Sequence, residues 1–158
     1  MVSWIVLALS TGLFVSYLPA RFFRRTFWTG AGLLGSAWGW LLLPCLPTAT
    51  LPCALFLLVA AGASIGITSL AEKALGRKDD PRIILDETVG YWVSAAFLPR
   101  TTGVLAAAFL LFRVFDVYKL PPLKAMQNWP RGWGVMADDI GAGILTNLIL
   151  QMGVRWYG

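Results

Sequence analysis

Histidine is absent from this chain, and cysteine occurs only twice, at Cys45 and Cys53. Without an imidazole there can be no histidine nucleophile, no histidine base and no His-based zinc site. The phospho-aspartyl pattern Asp-x-Asp-x-Thr/Val is missing as well. Acidic residues are absent from the first 71 positions. Charge is scarce throughout, at 13% of residues, against roughly 25% in soluble domains. So few charges cannot cover a water-facing surface, and much of the chain must be solvated by lipid.

What the chain does have is apolar side chains, 58% of its 158 residues, and a mean hydropathy of +0.69. In lipid every backbone N–H and C=O needs an internal partner, so spanning segments are helices or closed barrels. The apolar runs are rich in Leu, Ala and Gly and do not alternate with period two, which selects helices. The expectation is an all-α protein: a multi-pass membrane bundle of about five to six helices, some short or re-entrant, in one domain over residues 1–158.

The runs are 2–20, interrupted by Gly12 and closed by Pro19, then 26–43, 53–71, 83–98, 101–119 and about 138–157. Gly12 and Pro19 would also suit a re-entrant hairpin. Gly32, Gly35/Ser36 and Gly39 put small residues on nearly one face, permitting close helix approach. Residues 44–52 read as a charge-free turn, 72–82 as a polar stretch, and 123–137 as a loop or interfacial segment. Pro121-Pro122 should stop the fifth run, and Gly132-Trp133-Gly134 should form a turn. Cys45 and Cys53 flank the Pro-rich turn and are expected to be free. Met1-Val2-Ser3-Trp4 has neither a basic n-region nor a clear cleavage site, so the first run is expected to be retained.

The net charge of +5 and pI near 9.6 come without any RNA- or DNA-binding motif, and no nucleic-acid partner is expected. Arg21, Arg24, Arg25, the 72–82 stretch and Lys119–Arg131 are basic, whereas 44–52 is uncharged and 99–103 carries only Arg100. Positive loops face the cytoplasm, which orients the bundle.

All eight acidic residues fall between Glu72 and Asp139. Asp86 and Glu87 precede one apolar helix, Asp116 follows another, and Asp138 and Asp139 precede a third. The orientation brings these ends to one membrane face. Ionised groups at that depth pair, line a wet cavity or bind metal. Ligands that are all oxygen suit a hard cation, Mg²⁺ above all, then Mn²⁺ or Ca²⁺. Arg113, Asp116 and Lys119 follow one another at spacings of three and share a helical face. An Arg and a Lys beside a carboxylate-held cation would clamp a phosphate.

Each element has a plainer explanation. Arg113–Asp116–Lys119 could be a helix-end salt bridge, and Asp138-Asp139 or Asp86-Glu87 could complement a helix N-terminus. Asp79-Asp80 before Pro81 reads as a solvated turn. Convergence at one face favours a metal-and-anion site over three independent coincidences.

Three linked blocks carry a family resemblance: Asp86-Glu87-Thr88-Val89-Gly90, then Phe112-Arg113-Val114-Phe115-Asp116-Val117-Tyr118-Lys119, then Gly132-Trp133-Gly134-Val135-Met136-Ala137-Asp138-Asp139-Ile140-Gly141-Ala142-Gly143. In order and spacing they resemble the phosphatidylglycerophosphatase A family over roughly residues 70–155. Departures occur at Lys119-Leu120-Pro121-Pro122-Leu123, at Arg131, and before Thr29-Gly30-Ala31-Gly32.

The resemblance implies a Mg²⁺-dependent lipid phosphatase, multi-pass in the bacterial inner (cytoplasmic) membrane, with its active site facing the cytoplasm. It would hydrolyse the terminal phosphate monoester of phosphatidylglycerophosphate to give phosphatidylglycerol. Carried over by position, Asp86, Glu87, Asp116 and Asp139 are the catalytic candidates. Asp86, Glu87, Asp116, Asp138 and Asp139 are metal candidates, with Asp79 a further acidic match, and Arg113 and Lys119 bind phosphate. Water is the expected nucleophile, with an aspartyl phosphate left open. The rival readings are a small membrane cation transporter, a CDP-alcohol phosphotransferase and a non-catalytic membrane scaffold. A transporter would want its acids near the bilayer midplane, and the phosphotransferase pattern along one helix is missing.

Overall fold

A computed structural model describes residues 4–18, 30–126, 129–130 and 132–157. The expected basic residues Arg21, Arg24, Arg25 and Arg131, and Pro19, lie outside the described residues. Among those described, the chain is all-helical, with seven α-helices, one short 3₁₀ turn at Leu43–Cys45 and no strand. The helices are α1 (Trp4–Ser10), α2 (Ala31–Leu41), α3 (Thr50–Leu75), α4 (Leu85–Ala95), α5 (Thr102–Tyr118), α6 (Pro121–Met126) and α7 (Gly132–Tyr157).

The short helix α4 is the hub, touching α2, α3, α5 and α7. Eight of its eleven residues are buried. At about 16 Å it spans roughly half the hydrocarbon thickness of a bilayer. Its neighbours approach closely because glycines face it. A Cβ on Gly143 would lie 2.5 Å from the Gly90 carbonyl oxygen, and one on Gly39 would lie 2.9 Å from that of Thr88. The small-residue face expected on the second run therefore does meet another helix. Thr88 Oγ1 donates to the Gly35 carbonyl, Trp92 Nε1 to that of Gly39, and Asn147 Nδ2 to those of Ser94 and Ala96. The carbonyls of Gly39, Ser94 and Ala96 lie at helix ends, where side chains thus replace the missing intrahelical partner. Trp40 stacks on Tyr91 and both meet Phe109 at an angle, joining α2, α4 and α5 with ring centroids 5.7–6.1 Å apart.

Several boundaries differ from expectation. The first run is not one helix: α1 ends at Ser10, and Gly12, Leu13 and Phe14 all take left-handed backbone angles. That turn is held by Ile84 N–H donating to the Ser10 carbonyl and Ser16 Oγ donating to that of Arg82. The third run extends over Thr50–Leu75, so Glu72 and Lys73 belong to its last turn, closed by left-handed Gly76. The fifth run ends where expected, at Tyr118, capped by left-handed Lys119. Pro121 just beyond it then opens α6, where its fixed φ and missing N–H cost little. Gly132-Trp133-Gly134 is the first turn of α7 rather than a free turn. Ser69 Oγ of α3 accepts the Gly132 N–H, and a Cβ there would meet the Ile65 carbonyl oxygen at 2.7 Å, so tertiary contact overrides the low helix propensity of glycine. Both cysteines are free.

Among the described residues one helix, Thr50–Leu75, is long and apolar enough to cross a membrane, and only 17% of its most apolar window is buried. Leu58 and Val59 stand out from it, as do Leu110 from α5 and Met152 from α7.

Candidate functional site

The site forms at one end of the bundle, where the start of α4, the end of α5, the second turn of α7 and the start of α2 meet. The first turn of α4 brings Asp86 and Glu87, and α7 brings Asp139. Ligand oxygens of these three carboxylates all lie within 4.8 Å of one another. Asp86 and Asp139 are buried, and Glu87 is half-buried. Asp86 Oδ1 and Glu87 Oε2 accept no hydrogen bond among the described residues. Buried polar atoms are nearly always satisfied, so three clustered carboxylates with two bare oxygens suit a cation that would bind them together. An all-oxygen donor set fits a hard divalent ion.

Two cations flank the trio, each already held. Arg113 Nη1 lies 2.5 Å from Asp116 Oδ2, and Lys119 Nζ lies 2.5 Å from Asp138 Oδ2. Arg113 Nη1 also reaches Ser36 Oγ at 3.5 Å. Burial alone would lower the pKa of Lys119, but its hydrogen bond to Asp138 and the charges of Asp138, Asp139 and Asp116 raise it, so the ammonium stays charged. The expected Arg113–Asp116–Lys119 face is thus divided: Asp116 pairs with Arg113, while Lys119 reaches across to α7. Asp116 remains near enough for its charge to act on both Glu87 and Asp139.

Asp138 and Asp139 lie at the second turn of α7, seven and eight residues into it. They therefore do not cap its N-terminus, and that plainer explanation falls. Asp79 is exposed, outside the trio, with its N–H donating to Glu72 Oε1. Asp80 is not solvated as expected. It is buried and takes two hydrogen bonds from the Arg82 guanidinium.

Beside the trio, Gly30 just before α2 and Gly32 and Leu33 within it face Leu110, Val114 and Val117 of α5 across a cavity of about 650 Å³. Glu87, Arg113, Asp116 and Lys119 line it as well. A Cβ on Gly32 would lie 2.8 Å from both Arg113 Nη2 and Glu87 Oε1. Gly32 thus belongs to the site, a role the sequence reading missed by treating the glycine face only as a helix contact. The signal was its place in Thr29-Gly30-Ala31-Gly32, directly after the segment in which the chain departs from the resembled family.

The family model described as phosphatidylglycerophosphatase A matches residues 8–154. Among curated proteins, phosphatidylglycerophosphatase A of Escherichia coli is 34% identical over 63% of this chain and 61% of its own length. That of Haemophilus influenzae is 32% identical over 52% of each. A Bacteroides thetaiotaomicron protein, named provisionally as a phosphatidylinositol-3-phosphatase, is 37% identical over 50% of this chain and 51% of its own. The matches thus span about half to three fifths of the curated relatives. No solved structure matches. The family model takes in every segment that builds the acidic site, and the chain belongs to the phosphatidylglycerophosphatase A family.

Proposed function

We propose that this chain is a Mg²⁺-dependent lipid phosphatase that hydrolyses the terminal phosphate monoester of phosphatidylglycerophosphate, releasing inorganic phosphate and leaving phosphatidylglycerol. The observation that carries the reading is the cluster of buried Asp86 and Asp139 with half-buried Glu87, with two unsatisfied oxygens, beside the cations Arg113 and Lys119. The names of the relatives share a phosphate ester on a phospholipid headgroup, which agrees with it.

Asp86, Glu87 and Asp139 would hold the ion, and Asp116 and Asp138 would be free to join it once a phosphate competes for Arg113 and Lys119. Bound Mg²⁺ would polarise a phosphoryl oxygen and lower the pKa of an attacking water. Arg113 offers a planar fork of donors to the phosphate and Lys119 a point charge. Their part is to orient the monoester and offset charge developing on its oxygens. Water adds to phosphorus, the phosphorus–oxygen ester bond breaks, and the proton passes to the departing glycerol oxygen.

The bundle is proposed to be multi-pass in the bacterial inner membrane, with this site at the cytoplasmic face. Lys73, Arg77, Lys78, Arg82, Arg113, Lys119 and Lys124 cluster at or near the end that carries the acids. Arg100 and Arg155 occupy the other end. Such a bias matches the positive-inside rule. A cation carrier is disfavoured because it would need acids along a path through the bundle, whereas Asp86, Glu87, Asp116 and Asp139 gather at one end of it.

The test is phosphate release from phosphatidylglycerophosphate by the purified protein, with Mg²⁺ and with chelator. Magnesium-dependent release that Asp86→Asn and Asp139→Asn abolish supports the reading. Equal rates with chelator, or wild-type rates in both variants, refute it.

A further inference from the structure

The cavity between α2 and α5 has a direction. Along α5, Leu110, Arg113, Val114 and Val117 recur at helical spacing on the face that lines it. Arg113 is held toward the acids by Asp116, while Leu110 and Val114 are 66% and 46% exposed. Across the cleft Leu33 is 53% exposed. One end of a single continuous cavity is therefore charged and the other apolar. Its volume of about 650 Å³ falls within the range of small-molecule sites, roughly 300–1,000 Å³.

A soluble phosphate ester would touch only the charged end and gain nothing from Leu33, Leu110 and Val114. A ligand with a phosphate at one end and hydrocarbon at the other satisfies both. The cleft stays open at its charged end because Gly32 has no side chain. Even one carbon there would meet Arg113 and Glu87.

We propose that this cleft receives the first segment of a substrate acyl chain laterally from the bilayer, so that Leu33, Leu110 and Val114 select a membrane lipid over a soluble phosphate ester. The inference rests on the lipid-phosphatase reading and adds to it the residues that recognise hydrocarbon.

The test compares diacyl phosphatidylglycerophosphate in detergent micelles with the deacylated, water-soluble headgroup. Leu110→Trp, which crowds the apolar end, should lower the ratio of kcat/KM for the diacyl over the deacylated ester at least tenfold. Leu58→Trp, on the exposed face of α3, should leave that ratio unchanged. An unchanged ratio in Leu110→Trp, or an equal fall in both variants, overturns the proposal. A second readout needs no turnover: a phosphatidylglycerophosphate with a photoreactive diazirine near the ester end of one acyl chain, added to the Asp139→Asn protein. Labelling of the Leu33 and Leu110 segments in excess of the Leu58 segment supports the cleft; equal labelling overturns it. If wild-type protein releases phosphate from neither ester, the lipid-phosphatase reading fails, and the labelling alone decides the cleft.

Discussion

Asp138 and Asp139 are neighbours in the chain with opposite partners: Asp138 accepts from Lys119 Nζ at 2.5 Å, whereas Asp139 faces Asp86 and Glu87. Successive helical residues point about 100° apart, so one turn of α7 serves two purposes. Asp138 anchors a cation, and Asp139 completes a cluster in which charges of one sign oppose each other.

The cluster sets activity against stability. Without metal, Asp139→Asn removes a like charge from the carboxylate trio and should raise the melting temperature. With Mg²⁺ the wild-type protein should gain stability as the ion binds only the folded state, and the variant should gain none. Its kcat should fall on the order of 10³-fold, as expected for losing about 4 kcal/mol of metal-assisted stabilisation. Thermal unfolding with and without Mg²⁺, set beside phosphate release, checks both signs. A variant less stable than wild type without metal would contradict the electrostatic account.

The Lys119–Asp138 pair should behave differently. Lys119→Met strands a buried carboxylate and should cost about 2 kcal/mol. Asp138→Asn leaves a cation that is 30% exposed and can reach water, so it should cost less. The double variant should recover part of the Lys119→Met loss. A double-mutant cycle on unfolding in detergent measures the coupling, and strict additivity would show that the pair contributes nothing to stability.

Acid should act through the loop before α4. Burial opposes ionisation of Asp80, but the hydrogen bonds and charge of Arg82 outweigh it and lower the pKa below its ordinary 3.8. A depressed folded-state pKa means stabilisation that is complete above the ordinary value and lost as pH falls through the lowered one. Asp80→Asn should therefore unfold at lower temperature than wild type at pH 6, with the gap closing toward pH 3. A gap constant with pH would remove Asp80 from the account.

The meeting of Asp86, Glu87 and Asp139 was legible because acids are rare here and stand at the ends of apolar runs. The split between Asp138 and Asp139 was not. It depends on α7 starting at Gly132, and glycines in sequence signal a turn. Only the contact of Gly132 with Ile65 and Ser69 makes it helical. Asp80 likewise looked solvated beside Pro81, since its partner Arg82 gives no sign in sequence of folding back onto it. The break after Ser10 was foreshadowed by Gly12, but left-handed Leu13 and Phe14 depend on long-range bonds to residues 82–84.

Glycines offer the sharpest discrimination between site and scaffold. At Gly143 an added Cβ would meet the Gly90 backbone oxygen at 2.5 Å, and backbone cannot swing aside. Gly143→Ala should cost about 1–3 kcal/mol and lower activity only through folding. At Gly32 the obstacles are the ends of two flexible side chains, Arg113 and Glu87. Gly32→Ala should therefore keep its melting temperature within a few degrees while kcat/KM falls roughly 10²-fold, the penalty for misplacing reacting groups by about 1 Å. Gly62 and Gly66 on α3 have open space around them, so alanine at either should stabilise by about 0.5–1 kcal/mol and leave kcat/KM unaltered. Unfolding curves and phosphate-release kinetics on the four variants separate these cases. A Gly32→Ala protein with wild-type kinetics would mean that Arg113 and Glu87 can move aside without consequence, and the charged end of the cleft would not be where phosphate is held.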